Sequence, residues 1–263
     1  MHVGVVGAGP AGISAALFLS RYNFDVTLFE KDTIGGLIIN AWKVENFPVF
    51  HPLSGEEIAQ ILKARLMESP VKVVLQEVFE VHGTTVKTNT NVYEFDKLII
   101  ASGTVPVKIL EFEVDQNVVY EYRFLPKGIK CLAIYGAGDV AFDSALKAKE
   151  NGVKFVHIFN RGKTVKAVPK LVECAKNAGI IYHEEEPILR VSPGLKVETE
   201  REIYDFDALL ISIGRKPNLS FIKESSNNQY IVGDARGGFR QMSIAIGSAI
   251  ETAMRIVMEV RES

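Results

Sequence analysis

The chain has 263 residues, 47% apolar and 24% charged, with a formal net charge of −2. That length allows two modest domains of about 100–150 residues each, and the composition is that of an ordinary globular protein. The charge balance excludes a general field for nucleic acid or anionic membrane, and no apolar run approaches the roughly 20 residues that span a bilayer. The N-terminal stretch Met1–Val6 enters a strand at once and carries no basic region or cleavage site, so no secretory signal is read and a cytoplasmic location is expected. Only two cysteines occur, Cys131 and Cys174, far apart and in no C-x-x-C arrangement. This excludes a local redox dithiol, a zinc knuckle and an iron–sulfur cluster ligated by this chain alone. Both lie in apolar runs and are expected as buried core thiols.

In chain order, His2–Val6 reads as a buried strand, Gly7-Ala8-Gly9-Pro10-Ala11-Gly12 as a turn and Ile13–Tyr22 as a helix. Asp25–Phe29 reads as a second strand ending at Glu30. A glycine loop, Ile34-Gly35-Gly36-Leu37, and an aromatic, polar stretch, Trp42–His51, follow. Gly55–Glu68 predicts an amphipathic helix with Ile58, Ile61, Leu62 and Leu66 on one face. Short strands are expected over Val71–Leu75, Val78–His82, Thr85–Thr88, Val92–Phe95 and Leu98–Ala101, with turns at His82-Gly83-Thr84 and Asn89-Thr90-Asn91.

About 130 residues after the first, the opening pattern returns. Lys130–Tyr135 predicts a strand, Gly136-Ala137-Gly138-Asp139-Val140-Ala141 a turn, Phe142–Asn151 a helix and Phe155–Phe159 a second strand. Two copies of one nucleotide-binding unit imply two dinucleotide sites or a duplicated scaffold. Asp207–Ser212 and Tyr230–Val232 read as later strands, and Met242–Val260 as a final helix.

The chemistry of the first turn needs glycine three times. Gly7 makes the tight turn, Gly9 lets the backbone approach a pyrophosphate, and Gly12 allows helix and strand to pack closely. The phosphates meet the free N–H groups and the positive end of the helix. Glu30, eighteen residues after Gly12, would accept hydrogen bonds from both ribose hydroxyls and repel a 2′-phosphate, so this site suits the adenosine of FAD or NAD. The second turn has Ala141 in the third place, and its second strand ends Phe159-Asn160-Arg161-Gly162-Lys163, without a carboxylate. Arg161, Lys163 and Lys166 either surround a 2′-phosphate, favouring NADP, or form a solvated cationic face. Gly233-Asp234 ends a strand before the last helix; the carboxylate either bonds sugar-like hydroxyls or serves the turn itself. The helix beyond Gln241 would present its N-terminus to an electron-accepting ring.

Together these pieces resemble the low-molecular-weight thioredoxin reductase family. The resemblance rests on Val6–Gly12, Gly35-Gly36-Leu37, Val44-Glu45-Asn46-Phe47-Pro48, Ala101-Ser102-Gly103-Thr104-Val105-Pro106, Tyr135–Ala141, Ile213–Asn218, Gly233-Asp234 and Arg240-Gln241. It implies an α/β fold of two Rossmann-like, three-layer dinucleotide-binding domains, the second inserted into the first. An FAD domain would comprise residues 1–106 and 215–263, and an NAD(P)H domain residues 107–214. FAD would meet Gly7, Gly9, Pro10, Ala11, Gly12, Glu30, Lys31, Gly36, Leu37, Asn46, Ala101, Ser102, Gly103, Gly233, Asp234, Arg240 and Gln241. NADPH would meet Gly136, Gly138, Asp139, Val140, Arg161, Lys163 and Lys166. The family's pair of adjacent arginines is reduced here to Arg161, with Gly162 in the other place. A homodimer is also implied.

The departure is the active-site C-x-x-C. Where the family carries it, this chain reads Val118-Val119-Tyr120-Glu121-Tyr122-Arg123-Phe124. Without it the flavin has no internal disulfide to reduce. Tyr120 or Tyr122 would instead cover the flavin ring, or be structural. The leading expectation is an FAD-dependent NAD(P)H oxidoreductase, with no side chain acting as general acid or base. Its electrons would leave to an external acceptor such as a ferredoxin or a thioredoxin-like protein. The alternatives are a non-catalytic FAD-binding protein, and a reductase that works through a partner's cysteines. No metal, nucleic acid or membrane is expected to take part.

Overall fold

Val3, Val5 and Val6 are buried on the strand His2–Val6, which sends side chains into two layers at once. A run that is apolar on both faces belongs in the middle of a parallel sheet. In the computed structural model, which describes residues 1–262, this strand is the centre of a five-stranded parallel sheet. The order across the sheet is Gln229–Ile231, Lys97–Ile100, His2–Val6, Asp25–Phe29 and Lys72–Val74. Val3 and Val5 pack with the helices Pro10–Ser20 and Met242–Glu262. Val6 packs with Phe29, Phe95 and Leu98 in the core shared with the antiparallel strands Val78–His82, Thr85–Thr88 and Val92–Glu94.

The same three layers recur farther along the chain. A second parallel sheet runs Ile181–His183, Phe155–Phe159, Cys131–Tyr135, Ala208–Ile211 and Val118–Val119. Leu132 and Ile134 face the helices Asp139–Glu150 and Pro169–Asn177, while Ala133 and Tyr135 face the antiparallel ribbon Arg190–Ser192, Lys196–Glu198 and Ile203–Asp205. Strand alternation thus divides one element between two cores. The registers of the two copies also correspond: Val6 lies opposite Phe29, and Tyr135 opposite Phe159.

Two compact units result, one of Met1–Ile39, Glu45–Val105 and the chain from Lys216 onward, the other of Asn40–Val44 and Pro106–Arg215. The second is inserted into the sequence of the first. The stretch Asn40–Val44, placed with the first unit from sequence, packs with the second. The Asn40 amide donates to Glu121 Oε2 at 2.8 Å, and the Trp42 N–H donates to Asp143 Oδ2 at 2.8 Å. The buried ammonium of Lys147 donates to the carbonyls of Asn40 and Ala41.

Several local expectations need correction. Both turn-following helices begin earlier than predicted, directly after a glycine N-cap: the first at Pro10, where a proline at the first helical position costs nothing, and the second at Asp139, whose carboxylate suits a helix N-terminus. Ile61 is exposed, not on the buried face with Ile58 and Leu66. Cys131 and Cys174 are free and only half-buried. They pack against different cores on opposite faces of the second parallel sheet.

A polar cluster sits in the second unit under the antiparallel ribbon. His157 Nδ1 lies 2.9 Å from His183 Nε2, and His183 Nδ1 lies 3.0 Å from Glu186 Oε2. Glu186 is 1% exposed and also accepts from the Thr199 and Tyr204 hydroxyls and from Arg201. Burial alone would raise its pKa, but these donors outweigh burial and hold it below the usual carboxylate range. Burial, and then repulsion from His183, pushes His157 down to about 4. An unfolded histidine titrates near 6.5, so between about pH 6.5 and 4 the unfolded chain takes up a proton that the native state refuses. Stability from this residue is therefore lost as pH falls through that window. Asp143, raised to about 6 chiefly by burial, acts in the opposite sense, so the residue-specific effect must be read as a difference. His157→Gln is expected to gain about 2–5 °C in Tm over the native chain between pH 7 and pH 4.5. Parallel pH profiles of the two proteins would refute the assignment.

Candidate functional site

Each unit carries a glycine turn at the carboxyl end of its central strands, the place where open α/β sheets bind ligands. In the first unit the Gly7 N–H donates to Phe29 O at 2.8 Å, tying the turn to the neighbouring strand. Gly7 has φ +105°, and a Cβ there would lie 2.4 Å from Ala101 O. A Cβ on Gly12 would lie 1.8 Å from Gly7 O, so close packing fixes the third glycine as well. Gly9 differs, because a Cβ there would meet nothing within 4 Å. It is the N-cap of the helix Pro10–Ser20, whose end has no side-chain cap. The missing side chain at Gly9 therefore serves space outside the protein, in front of a helix N-terminus suited to a phosphate.

Other segments of the same unit border this end. Glu30 receives the Ala8 N–H on Oε2 at 2.8 Å and the Asp32 N–H on Oε1 at 3.0 Å, which aims its carboxylate along the turn. Gly36, at φ +62°, approaches so closely that a Cβ would sit 2.9 Å from Gly9 Cα; Leu37 follows it. Gly233, also at φ +62°, packs where a Cβ would be 2.8 Å from Ala11 Cβ. Its N–H donates to Ser248 Oγ at 2.9 Å, and Asp234 follows it in a short turn of helix, Gly233–Arg236. Asn46 donates to Gln241 Oε1, joining a loop to the residue that precedes the last helix; Arg240 is adjacent and exposed. Ser102 Oγ donates to Asn218 O at 2.6 Å, and the Asn218 N–H donates to Gly103 O at 3.0 Å. Lys31 is directed elsewhere, toward Glu77 at 3.4 Å.

The second unit repeats the turn. The Gly136 N–H donates to Phe159 O at 2.9 Å, and a Cβ on Gly136 would lie 2.2 Å from Ser212 O. Gly138 again faces open space and caps the helix Asp139–Glu150 without a side chain. Ala141 is fully buried in the core, and Val140 is exposed. Asp139 accepts the Val168 N–H at 2.8 Å, so its carboxylate braces the loop rather than pointing freely outward. The loop after the second strand is organised by Asn160, which sequence reasoning passed over. It is 7% exposed; its amide donates to Tyr182 Oη and Thr164 O, and its Oδ1 accepts the Gly162 N–H. Lys166 is tied back by its own N–H to Ala137 O. Arg161, Lys163 and Lys166 are exposed on this loop. Lys163 has a partner that the sequence did not suggest, Glu185, at 3.6 Å.

Tyr120 and Tyr122 are held inside the second unit. The Tyr120 hydroxyl bonds both the N–H and the carbonyl of Ile109, and burial pushes its pKa up to about 12. Tyr122 accepts from Asn151 and has the Lys147 ammonium 4.9 Å from its ring centre. Among the described residues no cluster of three or more metal-type ligands occurs, and no helix is long and apolar enough to cross a membrane.

The sequence matches the pyridine nucleotide-disulphide oxidoreductase family over residues 1–249. The chain belongs to this family. Within it the chain is thioredoxin reductase-like. It is 27% identical over 297 residues to a thioredoxin reductase of Buchnera aphidicola, covering 95% of this chain and 89% of that one. It is also 27% identical to the 34.2 kDa protein in the rubredoxin operon of Clostridium pasteurianum, over 85% of this chain and 79% of that one. Among solved structures, the thioredoxin reductase of T. acidophilum superposes with a TM-score of 0.87 at 24% identity, covering 98% of both chains. That of Lactococcus lactis superposes with a TM-score of 0.88 at 22% identity, covering 100% of this chain and 99% of that one. These two structural likenesses concern the fold.

The two kinds of glycine make a direct prediction. Gly12→Ala should destabilise the first unit by about 2–4 kcal/mol, because helix and turn must separate. Gly9→Ala should melt within about 2 °C of the native chain yet bind a dinucleotide more weakly, because its methyl projects into the approach to the helix end. Thermal melts of both variants, with and without added FAD, check this. A Gly9→Ala protein that binds as tightly as the native one would contradict it.

Proposed function

We propose that the protein is an FAD-dependent NAD(P)H oxidoreductase whose electrons pass to an acceptor outside the chain. The observation that supports this best is the pair of glycine turns, alike at their first two glycines, with different surroundings. One is completed by the carboxylate of Glu30, the other by the cations Arg161 and Lys166. A carboxylate at the end of the second strand accepts ribose hydroxyls, and cations there attract a 2′-phosphate.

The first unit fits FAD. Gly9 and the uncapped helix end would take the pyrophosphate, Glu30 the adenosine ribose, and Asp234 the ribityl hydroxyls. The last helix, entered through Arg240 and Gln241, would direct its N-terminus at the ring and favour negative charge there. The second unit fits a nicotinamide nucleotide, with Gly138 at the pyrophosphate and Arg161 and Lys166 at the adenosine end. Hydride transfer from nicotinamide to flavin is chemistry that the cofactors supply, while the protein binds and orients. With two cysteines on opposite faces of one sheet, the chain offers no dithiol to continue the path. The acceptor in this reading is a separate redox protein, ferredoxin- or thioredoxin-like, and the working form is a cytoplasmic homodimer.

Purified protein is expected to carry FAD and to reduce an artificial electron acceptor with NADPH; a chain that keeps FAD but reduces nothing is a binding protein instead. Glu30→Ala should lose most of its flavin on dialysis, and full retention would count against the ribose role. Arg161→Ala should raise the KM for NADPH roughly tenfold or more with little change for NADH, since a charged hydrogen bond contributes about 1.5–3 kcal/mol. Equal effects on both nucleotides would remove the phosphate assignment.

A further inference from the structure

The end of the second strand differs between the two units in a way that bears on which nucleotide is accepted. In the first unit the residue after Phe29 is Glu30, with its carboxylate aimed along the turn. In the second, the corresponding residue after Phe159 is Asn160, whose amide is turned inward to Tyr182, Thr164 and Gly162. The position that reads the adenosine ribose is therefore left to the loop 161–166 and to whatever faces that loop from the next strand.

What faces it is acidic. The strand Ile181–His183 pairs with Phe155–Phe159 and runs directly into Glu184-Glu185-Glu186. The Glu186 N–H donates to Asn160 O at 2.8 Å, and the Glu185 N–H lies 3.4 Å from Gly162 O. The carboxylate of Glu185 reaches Lys163 Nζ at 3.6 Å, while Glu184 and Glu185 are both exposed. Glu185 holds φ +50°, a left-handed conformation that a non-glycine residue adopts at a cost. Its neighbour Glu186 is locked in the buried cluster of His183, Thr199, Tyr204 and Arg201, which over-determines the backbone at this point. The direction in which the Glu185 side chain leaves the backbone is thus set by the fold, and its carboxylate faces Lys163.

We infer that Glu185 is a specificity-determining residue of the nicotinamide-nucleotide site, offsetting Lys163 so that the site accepts NADH alongside NADPH. This rests on the nucleotide-binding reading of the second unit given above. A 2′-phosphate arriving at the loop meets exposed cations, of which Lys163 already faces a carboxylate. The nucleotide without that phosphate carries hydroxyls there, loses nothing from a neutralised lysine, and offers donors that a carboxylate accepts. All these groups are exposed, so water and salt screen them and the effect is a matter of a few-fold.

The test uses the FAD-loaded full chain and two probes that differ only in the phosphate, 2′,5′-ADP and 5′-AMP, with binding measured by calorimetry. Glu185→Gln should tighten 2′,5′-ADP roughly three- to tenfold and leave 5′-AMP within about twofold, with the gain shrinking at about 0.5 M salt. Lys163→Ala should weaken 2′,5′-ADP more in the Glu185→Gln background than in the native chain, because only there is the lysine free of its partner. Unchanged 2′,5′-ADP affinity in Glu185→Gln, equal changes for both probes, or equal effects of Lys163→Ala in both backgrounds would overturn the role of Glu185 alone. A native chain that binds neither probe would overturn the nucleotide-site reading together with it.

Discussion

The backbone of this protein turns from strand to helix twice under one constraint: the first glycine of each turn gives its N–H to the end of the adjacent strand. Gly7 donates to Phe29 and Gly136 to Phe159, and at both points a Cβ would strike a carbonyl of a third strand end, Ala101 or Ser212. The turn has no room except on one side. That side is where Gly9 and Gly138 lack a Cβ and where each helix begins without a side-chain cap. The open space in front of each helix end, the place proposed for a phosphate, is what remains after the sheet and helix have closed around the other residues of the turn. Around the first turn, Glu30, Gly36 and Gly233 take their places through contacts with Ala8, Gly9 and Ala11.

Much of this was legible in sequence because glycine spacing and buried strands leave strong local signals. The strands beginning at His2 and at residues 130–131, the helices after each turn, and the final helix all follow from apolar runs punctuated by glycine. The segment from Thr164 to Phe206 gave no such signal. Its strands are three residues long, and Lys196–Glu198 carries charges at alternate positions, so neither length nor an apolar run marks the hairpins they form. Asn40–Val44 could not be assigned correctly because its place depends on Glu121, Asp143 and Lys147, some 80 to 107 residues away. Asn160 was hidden for a similar reason: its role comes from burial and from Tyr182, not from its neighbours. Glu185 belongs to a run of three glutamates, and nothing in such a run tells that Glu186 is 1% exposed while its two neighbours face solvent.

The departure from the thioredoxin reductase pattern gains physical content from the second unit. The region Val118–Phe124, which replaces the expected dithiol, is not an open site waiting for another nucleophile. Val118 and Val119 are buried on an edge strand, and the Tyr120 hydroxyl is engaged by Ile109. Tyr122 packs against the helix side of the sheet. The valines and both tyrosines of this stretch pack in the cores of the second unit, while Phe124 is exposed. Under the proposed function the chemistry ends at the flavin and continues only through another molecule.

Under the proposed function the chain stores two electrons, all of them on the flavin. Anaerobic titration of the purified FAD-loaded protein with NADPH tests it most directly. Flavin is a two-electron centre and no dithiol follows it, so the yellow absorption should be lost completely at about one equivalent of NADPH per flavin. Bleaching that is complete only near two equivalents would reveal a second redox centre, and an unchanged spectrum with both NADPH and NADH would remove the oxidoreductase reading.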